Sequence, residues 1–297
     1  MSTDTNGDHI EGGPNSKLLP TFLIIGAPKA GTTSLYQYLR GHPDVFMSLV
    51  KEPNYFSKGV PMGEGLETYS RLFAGADGAS AIGEASPSYA AFPTCGDVPA
   101  RIAQVLPEVR LVYLVRHPIE RMRSQYVMEV ALGKKTCSIE EALLGDRRYL
   151  DFSRYAFQIQ QYLPHFSRGQ MLIVTSETLR DERRGTLHRV CEFLDLKADC
   201  WSSAVNEQFN ESSSKGRPNV LNRTMRPVRR NPAYRAVASK APRFVKSLNR
   251  RLMIRGIDPR TTAVPERLRR HLEALLRDDV RELHAFLGDD FDGWALT

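Results

Sequence analysis

The chain has 297 residues, of which 41% are hydrophobic and 25% are charged, as in an ordinary globular protein. That length can hold one large α/β domain with an ample core, or two small domains. No apolar run approaches the roughly 20 residues that would span a membrane. Four cysteines without CxxC or metal-ligand spacing predict free thiols in a reducing cytoplasm: Cys95, Cys137, Cys191 and Cys200.

The net charge of +7 is concentrated in one segment. Residues 215–260 contain 14 Lys and Arg against one acid, a net charge of +13, whereas the rest of the chain sums to −6. The simplest interpretation of the basic stretch is a solvated helical cover. The alternative is a surface that contacts an anionic acceptor or a membrane.

The first predicted strand leads directly into a glycine-containing loop. Phe22–Ile25 is a short apolar run, typical of a buried parallel strand, and it is followed by Gly26–Ser34 with the sequence GAPKAGTTS. The two glycines permit a tight turn and a close approach to a ligand. A helix then begins near Thr32 and ends at Gly41. Its first N–H groups, its dipole and Lys29 together predict a phosphate-binding site.

The spacing in this loop differs from that of a nucleoside-triphosphate site. Gly26 and Gly31 fit the G-x-x-x-x-G of a P-loop, but Thr32 stands where a Walker A motif has lysine, and the lysine is at position 29. A triphosphate site also needs a magnesium-binding acid at a neighbouring strand end. The strand Leu111–Val115 ends in Arg116 instead. We therefore predict no metal ligand and a ligand with additional anionic groups.

The remaining predicted elements alternate between strands and helices. This order favours an α/β fold with a central parallel sheet and helices on both faces. The predicted strands are Val45–Ser48, Ala81–Ile82, 110–116 and Met171–Val174. The predicted helices are Leu66–Phe73, 97–106, one that begins at Pro118, Tyr155–Leu163, 183–194 and Pro265–Leu287. Residues 201–232 look loop-like, and 233–254 keep a helical apolar stripe.

Arg116 and Ser124 form a second candidate site. Arg116 closes a strand and Ser124 lies on the second turn of the next helix, an arrangement that can place a guanidinium and a hydroxyl on one phosphate. Ligands of parallel sheets bind at the carboxyl ends of the strands, where the loops with Lys29, Glu52 and Arg116 are expected.

These motifs together resemble the sulfotransferases that use 3′-phosphoadenosine-5′-phosphosulfate (PAPS), and most of all the heparan-sulfate type. The resemblance implies a three-layer α/β/α, P-loop-like fold over roughly residues 20–220 and 265–294. The matching stretches are Gly26–Ser34, Lys51–Phe56, Gly83–Tyr89, Leu111–Ser124, Tyr155–Leu163, Ser214–Arg217 and Phe291–Trp294.

The resemblance also implies roles for individual residues. Lys29 would bridge the 5′-phosphate and the transferred sulfuryl group. Arg116 and Ser124 would bind the 3′-phosphate. The loop N–H groups and hydroxyls that would hold the 5′-phosphate belong to Lys29, Ala30, Gly31, Thr32, Thr33 and Ser34. The residues that would close over the cofactor are Lys215, Gly216 and Arg217.

Glu52 corresponds to the catalytic base of that family. The chemistry independently requires a carboxylate or an imidazole that takes a proton as the acceptor attacks. Because Glu52 precedes a proline, we expect it to be extended. The alternative is a solvated glutamate paired with Lys51 or Lys58. His117 is the next candidate base, although its position beside Arg116 suggests a packing role.

Two features depart from the family pattern. Position 85 is alanine where heparan-type members commonly carry a second lysine, so that cationic contact would be absent or supplied by another residue. The basic helical insert at 219–263 is longer than the family core requires. The sequence also predicts the domain organisation. We expect a disordered tail at 1–19, without the features of a signal peptide, and one domain at 20–297.

The sequence thus predicts a cytoplasmic, metal-independent sulfotransferase. Its acceptor would be a hydroxyl or amine on a carbohydrate, glycolipid or secondary metabolite. We expect no nucleic-acid partner and consider peripheral membrane contact through the insert. Two alternatives remain: a P-loop kinase of a small metabolite, which Thr32 and Arg116 oppose, and a non-catalytic module that binds polyanions or membranes through residues 215–260.

Overall fold

The apolar runs of the sequence form a five-stranded parallel sheet. In the computed structural model, which describes residues 18–58, 65–198, 216–218, 254–256, 259–289 and 291–296, the strand order is β2-β3-β1-β4-β5. The strands are β1 (Phe22–Gly26), β2 (Val45–Met47), β3 (Ala81–Ala85), β4 (Arg110–Val115) and β5 (Met171–Thr175). Every residue of β1 and β3 is buried, because helices cover both faces of the sheet.

Ten helices accompany the sheet within the described ranges, and the expected three-layer α/β/α arrangement is confirmed. They are α1 (Thr32–Arg40), α2 (Leu66–Ser70), α3 (Val98–Val105), α4 (Pro118–Ala131), α5 (Ile139–Gly145), α6 (Arg148–Asp151), α7 (Tyr155–Gln160), α8 (Ser176–Asp181), α9 (Arg183–Phe193) and α10 (Glu266–Leu287). In the parts of the chain that the structure covers, no helix is both long and apolar enough to cross a membrane.

The long helix α10 follows its predicted apolar stripe. The buried residues of that stripe are Leu268, Leu272, Leu276, Val280 and Leu283, and the helix packs against α4, α7 and β5. Gly288 follows its last residue with a left-handed φ of 84°, as a C-terminal stop. At the other end of the described chain, Leu18 and Leu19 pack against the core, although they lie within the predicted tail.

Three short helices were missed by the sequence reasoning. One of them, α5, carries a recognisable signal: Ser138 accepts a hydrogen bond from the N–H of Glu141, whose carboxylate in turn accepts one from the N–H of Ser138. The helices α6 and α8 have four and six residues, too few to show an apolar period. The predicted helix Tyr155–Leu163 ends earlier, at Gln160.

Two further strands correct the description of the basic segment. The strands β6 (Gly216–Pro218) and β7 (Ile254–Gly256) pair antiparallel, and a 3-10 turn covers Pro259–Thr262. The sequence predicts a loop at 216–218, and a helix at Ile254 and at the end of the 219–263 insert. Both predictions are wrong at the residues that form these two strands and the 3-10 turn. The pairing joins residues far apart in sequence, which local periodicity cannot reveal. The rest of the insert, and Lys215, lie outside the described residues.

Candidate functional site

A cleft of about 850 Å³ opens where β1, β3, β4 and β5 end. Because the strands are parallel, the loops after their carboxyl ends converge on one edge of the sheet. The sequence-predicted site residues that line this cleft are Lys29, Ala30, Gly31, Thr32, Thr33, Ser34, Glu52, Arg116 and Ser124. Gly216 and Arg217 lie in β6, which runs beside α4, the helix that carries Ser124.

The loop after β1 is held by its carbonyl oxygens. The Pro28 oxygen accepts a hydrogen bond from Arg121 Nη1 (3.3 Å), the Lys29 oxygen from Arg116 Nη1 (3.4 Å), and the Ala30 oxygen from Ser176 Oγ. In a trans peptide the next N–H points away from the carbonyl. The N–H of Ala30 donates within the loop to the Ala27 oxygen at 3.1 Å. The N–H groups of Lys29 and Gly31 point away from the bonded carbonyl oxygens, as in loops that bind an anion at a helix start.

Two glycines make this loop possible. A Cβ on Gly26 would lie 2.8 Å from Ala90 Cβ and 2.9 Å from the ring of Tyr113, so only glycine fits where the chain leaves β1. Gly31 has a φ of 98°, in the left-handed region that favours glycine. The N–H of Ser34 donates to the Gly31 oxygen at 2.8 Å and starts α1. The cradle therefore depends on backbone conformations that the sequence signals through its glycine spacing.

Lys29 brings its ammonium into the cleft from a strained position. Its φ is 74°, unusual for a residue with a side chain. The Nζ atom contacts the sulfur of Met128, on α4, at 3.5 Å. Since Met128 also lines the cleft, the ammonium lies between the loop and α4.

Arg116 enters the cleft from the end of β4, and Ser124 enters it from the second turn of α4, the helix that follows. The carbonyl oxygen of Arg116 accepts a hydrogen bond from Tyr155 Oη at 2.6 Å, which fixes the end of β4. Ser124 is 7% exposed on the second turn of α4. The structure thus places the guanidinium and the hydroxyl in the same cleft as the loop that contains Lys29.

The backbone of Glu52 corrects a sequence expectation. Its φ is 60°, left-handed instead of extended. The preference imposed by the following proline is overridden by hydrogen bonds: the Glu52 N–H donates to the Ala85 oxygen (3.1 Å), and Asn54 Nδ2 donates to the Glu52 oxygen (2.6 Å). These contacts attach the Glu52 loop to the end of β3.

The Glu52 side chain has features of both interpretations made from the sequence, the solvated glutamate and the candidate base. It is half exposed and accepts a hydrogen bond from Lys51 Nζ at 2.6 Å, the pairing expected of a solvated glutamate. It also lines the cleft together with Lys29, as a base must. The ion pair with Lys51 is partly exposed and therefore weak.

His117 has the packing role suggested by its position. Its ring lies 6.1 Å from that of Trp294, and its backbone N–H donates to Glu177 Oε1 at 3.1 Å. Burial lowers the pKa of the imidazole, and Nδ1 has no hydrogen-bond partner among the described residues. His117 does not line the cleft, which leaves Glu52 as the better candidate base.

Sequence reasoning missed several polar residues around the cleft. Arg121 is fully buried and donates to the Pro28 oxygen of the loop after β1, and Glu84 is fully buried near the end of β3. Three further arginines line the cleft: Arg148, Arg180 and Arg183. None stands in a recognisable motif, although a charged residue inside an apolar strand, as at Glu84, is itself a signal.

The comparison with known families shows which family this chain belongs to. Residues 19–219 match the family described as "Sulfotransferase domain". The chain belongs to this family. The predicted resemblance to the heparan-sulfate type of sulfotransferase is also confirmed, since the curated relatives include several heparan sulfate glucosamine 3-O-sulfotransferases.

Two of these relatives, both from Mus musculus, show the extent of the match. The 3B1 enzyme is 32% identical over 215 residues, which cover 69% of this chain and 53% of the relative. The 3-O-sulfotransferase 6 is 29% identical over 296 residues, 96% of this chain and 76% of the relative. The chain thus spans about half the length of the first relative.

A solved structure supports the same fold. The crystal structure of a sulfotransferase from Alicyclobacillus acidocaldarius superposes with a TM-score of 0.66 at 24% identity and covers 93% of this chain and 99% of its own. Sulfotransferase family members generally take the sulfuryl group from PAPS. Within the described ranges, no group of three or more His, Cys, Asp and Glu could hold a metal ion.

Proposed function

We propose that this sulfotransferase family member transfers a sulfuryl group from PAPS to a hydroxyl or amine of a carbohydrate, glycolipid or secondary-metabolite acceptor. One observation carries the proposal: the phosphate-binding loop, the Arg116–Ser124 pair and the Glu52 carboxylate all line one cleft. The heparan sulfate relatives support a carbohydrate acceptor.

The chemistry of the donor groups fits PAPS. The loop and the start of α1 offer N–H groups and the hydroxyls of Thr32, Thr33 and Ser34 to the 5′-phosphate. Arg116 and Ser124 offer a guanidinium and a hydroxyl to the 3′-phosphate. The cations that line the cleft include Lys29, Arg116 and Arg183. The acid that follows β5, Glu177, also lines it and accepts hydrogen bonds from the His117 backbone N–H (3.1 Å) and from Trp294 Nε1 (3.4 Å). When bound, PAPS supplies the activated sulfuryl group.

The catalytic work falls to Glu52 and Lys29. Glu52 accepts the proton of the acceptor hydroxyl or amine as the acceptor attacks, which makes the acceptor a better nucleophile. The Lys29 ammonium stabilises the negative charge that develops on the departing bridging oxygen. The two loops that carry these groups are each held by hydrogen bonds to neighbouring elements, so little reorganisation is needed before the reaction.

The acceptor end of the cleft is defined by residues outside the phosphate-binding motifs. Asn54 and Ser88, joined by a hydrogen bond of 2.6 Å, continue the wall from Glu52. Ala85 is fully buried and contributes no charge at the position of the family lysine. Arg148 lines the same cleft and supplies a cation from α6 instead.

Ligand discrimination tests the proposal. Adenosine 3′,5′-bisphosphate should raise the melting temperature well above the effect of AMP, since binding stabilises by mass action and only the bisphosphate engages Arg116 and Ser124. Arg116→Ala should remove most of this difference, and Arg71→Ala, on an exposed surface, should keep it. Equal stabilisation by AMP would contradict the proposal. A magnesium requirement would favour the kinase alternative.

A further inference from the structure

A buried carboxylate lies beneath the loop that carries Glu52. Glu84, in β3, is fully buried. Its Oε1 accepts hydrogen bonds from Tyr69 Oη (2.9 Å) and Tyr89 Oη (2.6 Å), and its Oε2 accepts one from Ser86 Oγ (2.7 Å). Three hydroxyl donors around one carboxyl group satisfy an ionised carboxylate, which can only accept.

The carboxylate determines which way two of these hydroxyls point. Ser86 and Tyr89 each have one proton, and each gives it to Glu84. Their oxygens are therefore oriented to accept, and both accept a backbone N–H from the Glu52 loop. Asn54 N–H donates to Ser86 Oγ at 3.0 Å, and Phe56 N–H donates to Tyr89 Oη at 3.4 Å. Glu84 is thus linked to the loop through two hydroxyl relays.

The loop depends on such partners because its backbone is strained. Glu52 and Asn54, on either side of Pro53, have φ values of 60° and 55°. Residues with side chains occupy this left-handed region only when surrounding contacts hold them there. The contacts come from the end of β3 and the residues that follow it: the Ala85 oxygen, the Ser86 hydroxyl and the Tyr89 hydroxyl.

We propose that Glu84 is a positioning residue, which holds the Glu52–Phe56 loop through Ser86 and Tyr89 so that the Glu52 carboxylate faces the cleft. The inference rests on the proposed role of Glu52 as base. A glutamine at position 84 would place an amide N–H₂ against either Ser86 or Tyr89, so at least one of these two hydroxyls would have to turn its proton away and accept from the amide, which disturbs the orientation in which it accepts from the loop.

The test compares variants that each remove one hydrogen bond to Glu84. Ser86→Ala breaks the relay to Asn54, and Tyr69→Phe is the matched control, because the Tyr69 hydroxyl donates to the same carboxylate but, among the contacts of the described residues, accepts no N–H from the loop. Both should lower the melting temperature similarly. Only Ser86→Ala should lower kcat, by about tenfold or more, because a small misplacement of a catalytic group is costly. Its Kd for adenosine 3′,5′-bisphosphate should stay within about threefold, since no phosphate contact is lost.

Glu84→Gln should behave as Ser86→Ala does. If Glu84→Gln does not fold, Ser86→Ala and Tyr89→Phe still decide the question. A kcat in Ser86→Ala equal to that of Tyr69→Phe would overturn the inference. Glu52→Gln distinguishes failure of the positioning role from failure of the proposed base. If Glu52→Gln loses turnover but Ser86→Ala keeps native turnover, only the positioning role is overturned. If Glu52→Gln itself keeps native turnover, both the base and the positioning role are overturned.

Discussion

At the scale of single residues, the proposed mechanism gives different roles to Glu52 and Lys29. A base acts on the acceptor and touches no phosphate, so Glu52→Gln should lower turnover about 10²-fold while the affinity for adenosine 3′,5′-bisphosphate stays within a few-fold. Lys29→Ala should lower both, because the ammonium serves the 5′-phosphate and the leaving oxygen. Calorimetric titration and a transfer assay measure the two effects. If Glu52→Gln lost affinity as severely as Lys29→Ala, the carboxylate would have a structural role instead.

Arg148 provides a second residue-scale prediction, on acceptor recognition. Asp146 fixes its guanidinium with hydrogen bonds from Nε (2.9 Å) and Nη2 (2.6 Å), and Arg148 lines the cleft. Arg148→Ala should raise KM about tenfold for an acceptor with a carboxylate or sulfate, the effect of one charge-assisted hydrogen bond, and leave KM for a neutral acceptor unchanged. The neighbouring Arg147, 83% exposed and outside the cleft lining, is the control. An equal rise for both acceptors would argue against this role.

At the scale of elements, sequence reasoning succeeded where the information is local. The loop Gly26–Ser34 and the turn that follows β4 were predicted because each combines a strand, a turn and a helix start within a few residues. Strand β3 was predicted only as Ala81–Ile82, since Gly83 and Glu84 do not resemble a buried strand. The left-handed Glu52 was missed because its cause, hydrogen bonding to Ala85 and Ser86, comes from a distant part of the chain.

One element-scale contact makes stability depend on pH. Asp279, on α10, accepts hydrogen bonds from the N–H groups of Ala156 (3.2 Å) and Phe157 (2.9 Å) at the start of α7. Burial raises the pKa of this carboxyl from 3.8 to about 6, although the two hydrogen bonds oppose the shift. The folded state therefore holds the proton more tightly than the unfolded chain does. Its contribution to stability is complete below about pH 4 and is lost as the pH rises through about 6.

Urea unfolding at two pH values measures this contribution. From pH 7 to pH 5 the group should add about 1 kcal/mol to the free energy of unfolding, because one pKa unit is worth about 1.4 kcal/mol. Asp279→Asn cannot titrate and should lack this increment. Asp278→Asn, at an exposed neighbouring position, should retain it. Identical pH dependences in the wild type and Asp279→Asn would show that the carboxyl titrates normally.

At the scale of the whole molecule, one segment carries a net positive charge and the rest of the chain a net negative charge. The net charge of +13 on residues 215–260 contrasts with −6 elsewhere. One described strand of this segment, β6, runs beside α4, the helix that carries Ser124. If the charge attracts an anionic acceptor or a membrane, raising the salt toward ~0.5 M should weaken that association strongly, because the Debye length falls to a few Å. Binding of adenosine 3′,5′-bisphosphate should change less, since in the proposed binding mode directed hydrogen bonds inside the cleft would hold its phosphates.

A matched variant makes the salt experiment decisive. Replacing Arg229, Arg230, Arg250 and Arg251 by Gln removes four positive charges from the insert without touching the described cleft lining. The variant should show a shallower salt dependence of KM for a sulfated oligosaccharide and of binding to vesicles with anionic lipids, because fewer counterions and charges take part. The binding measurement that depends on salt identifies the partner. A salt dependence for the oligosaccharide alone indicates acceptor capture, and one for the vesicles alone indicates membrane contact. If neither responds to salt in the wild type, the insert serves as a solvated cover, and its charge acts only on solubility.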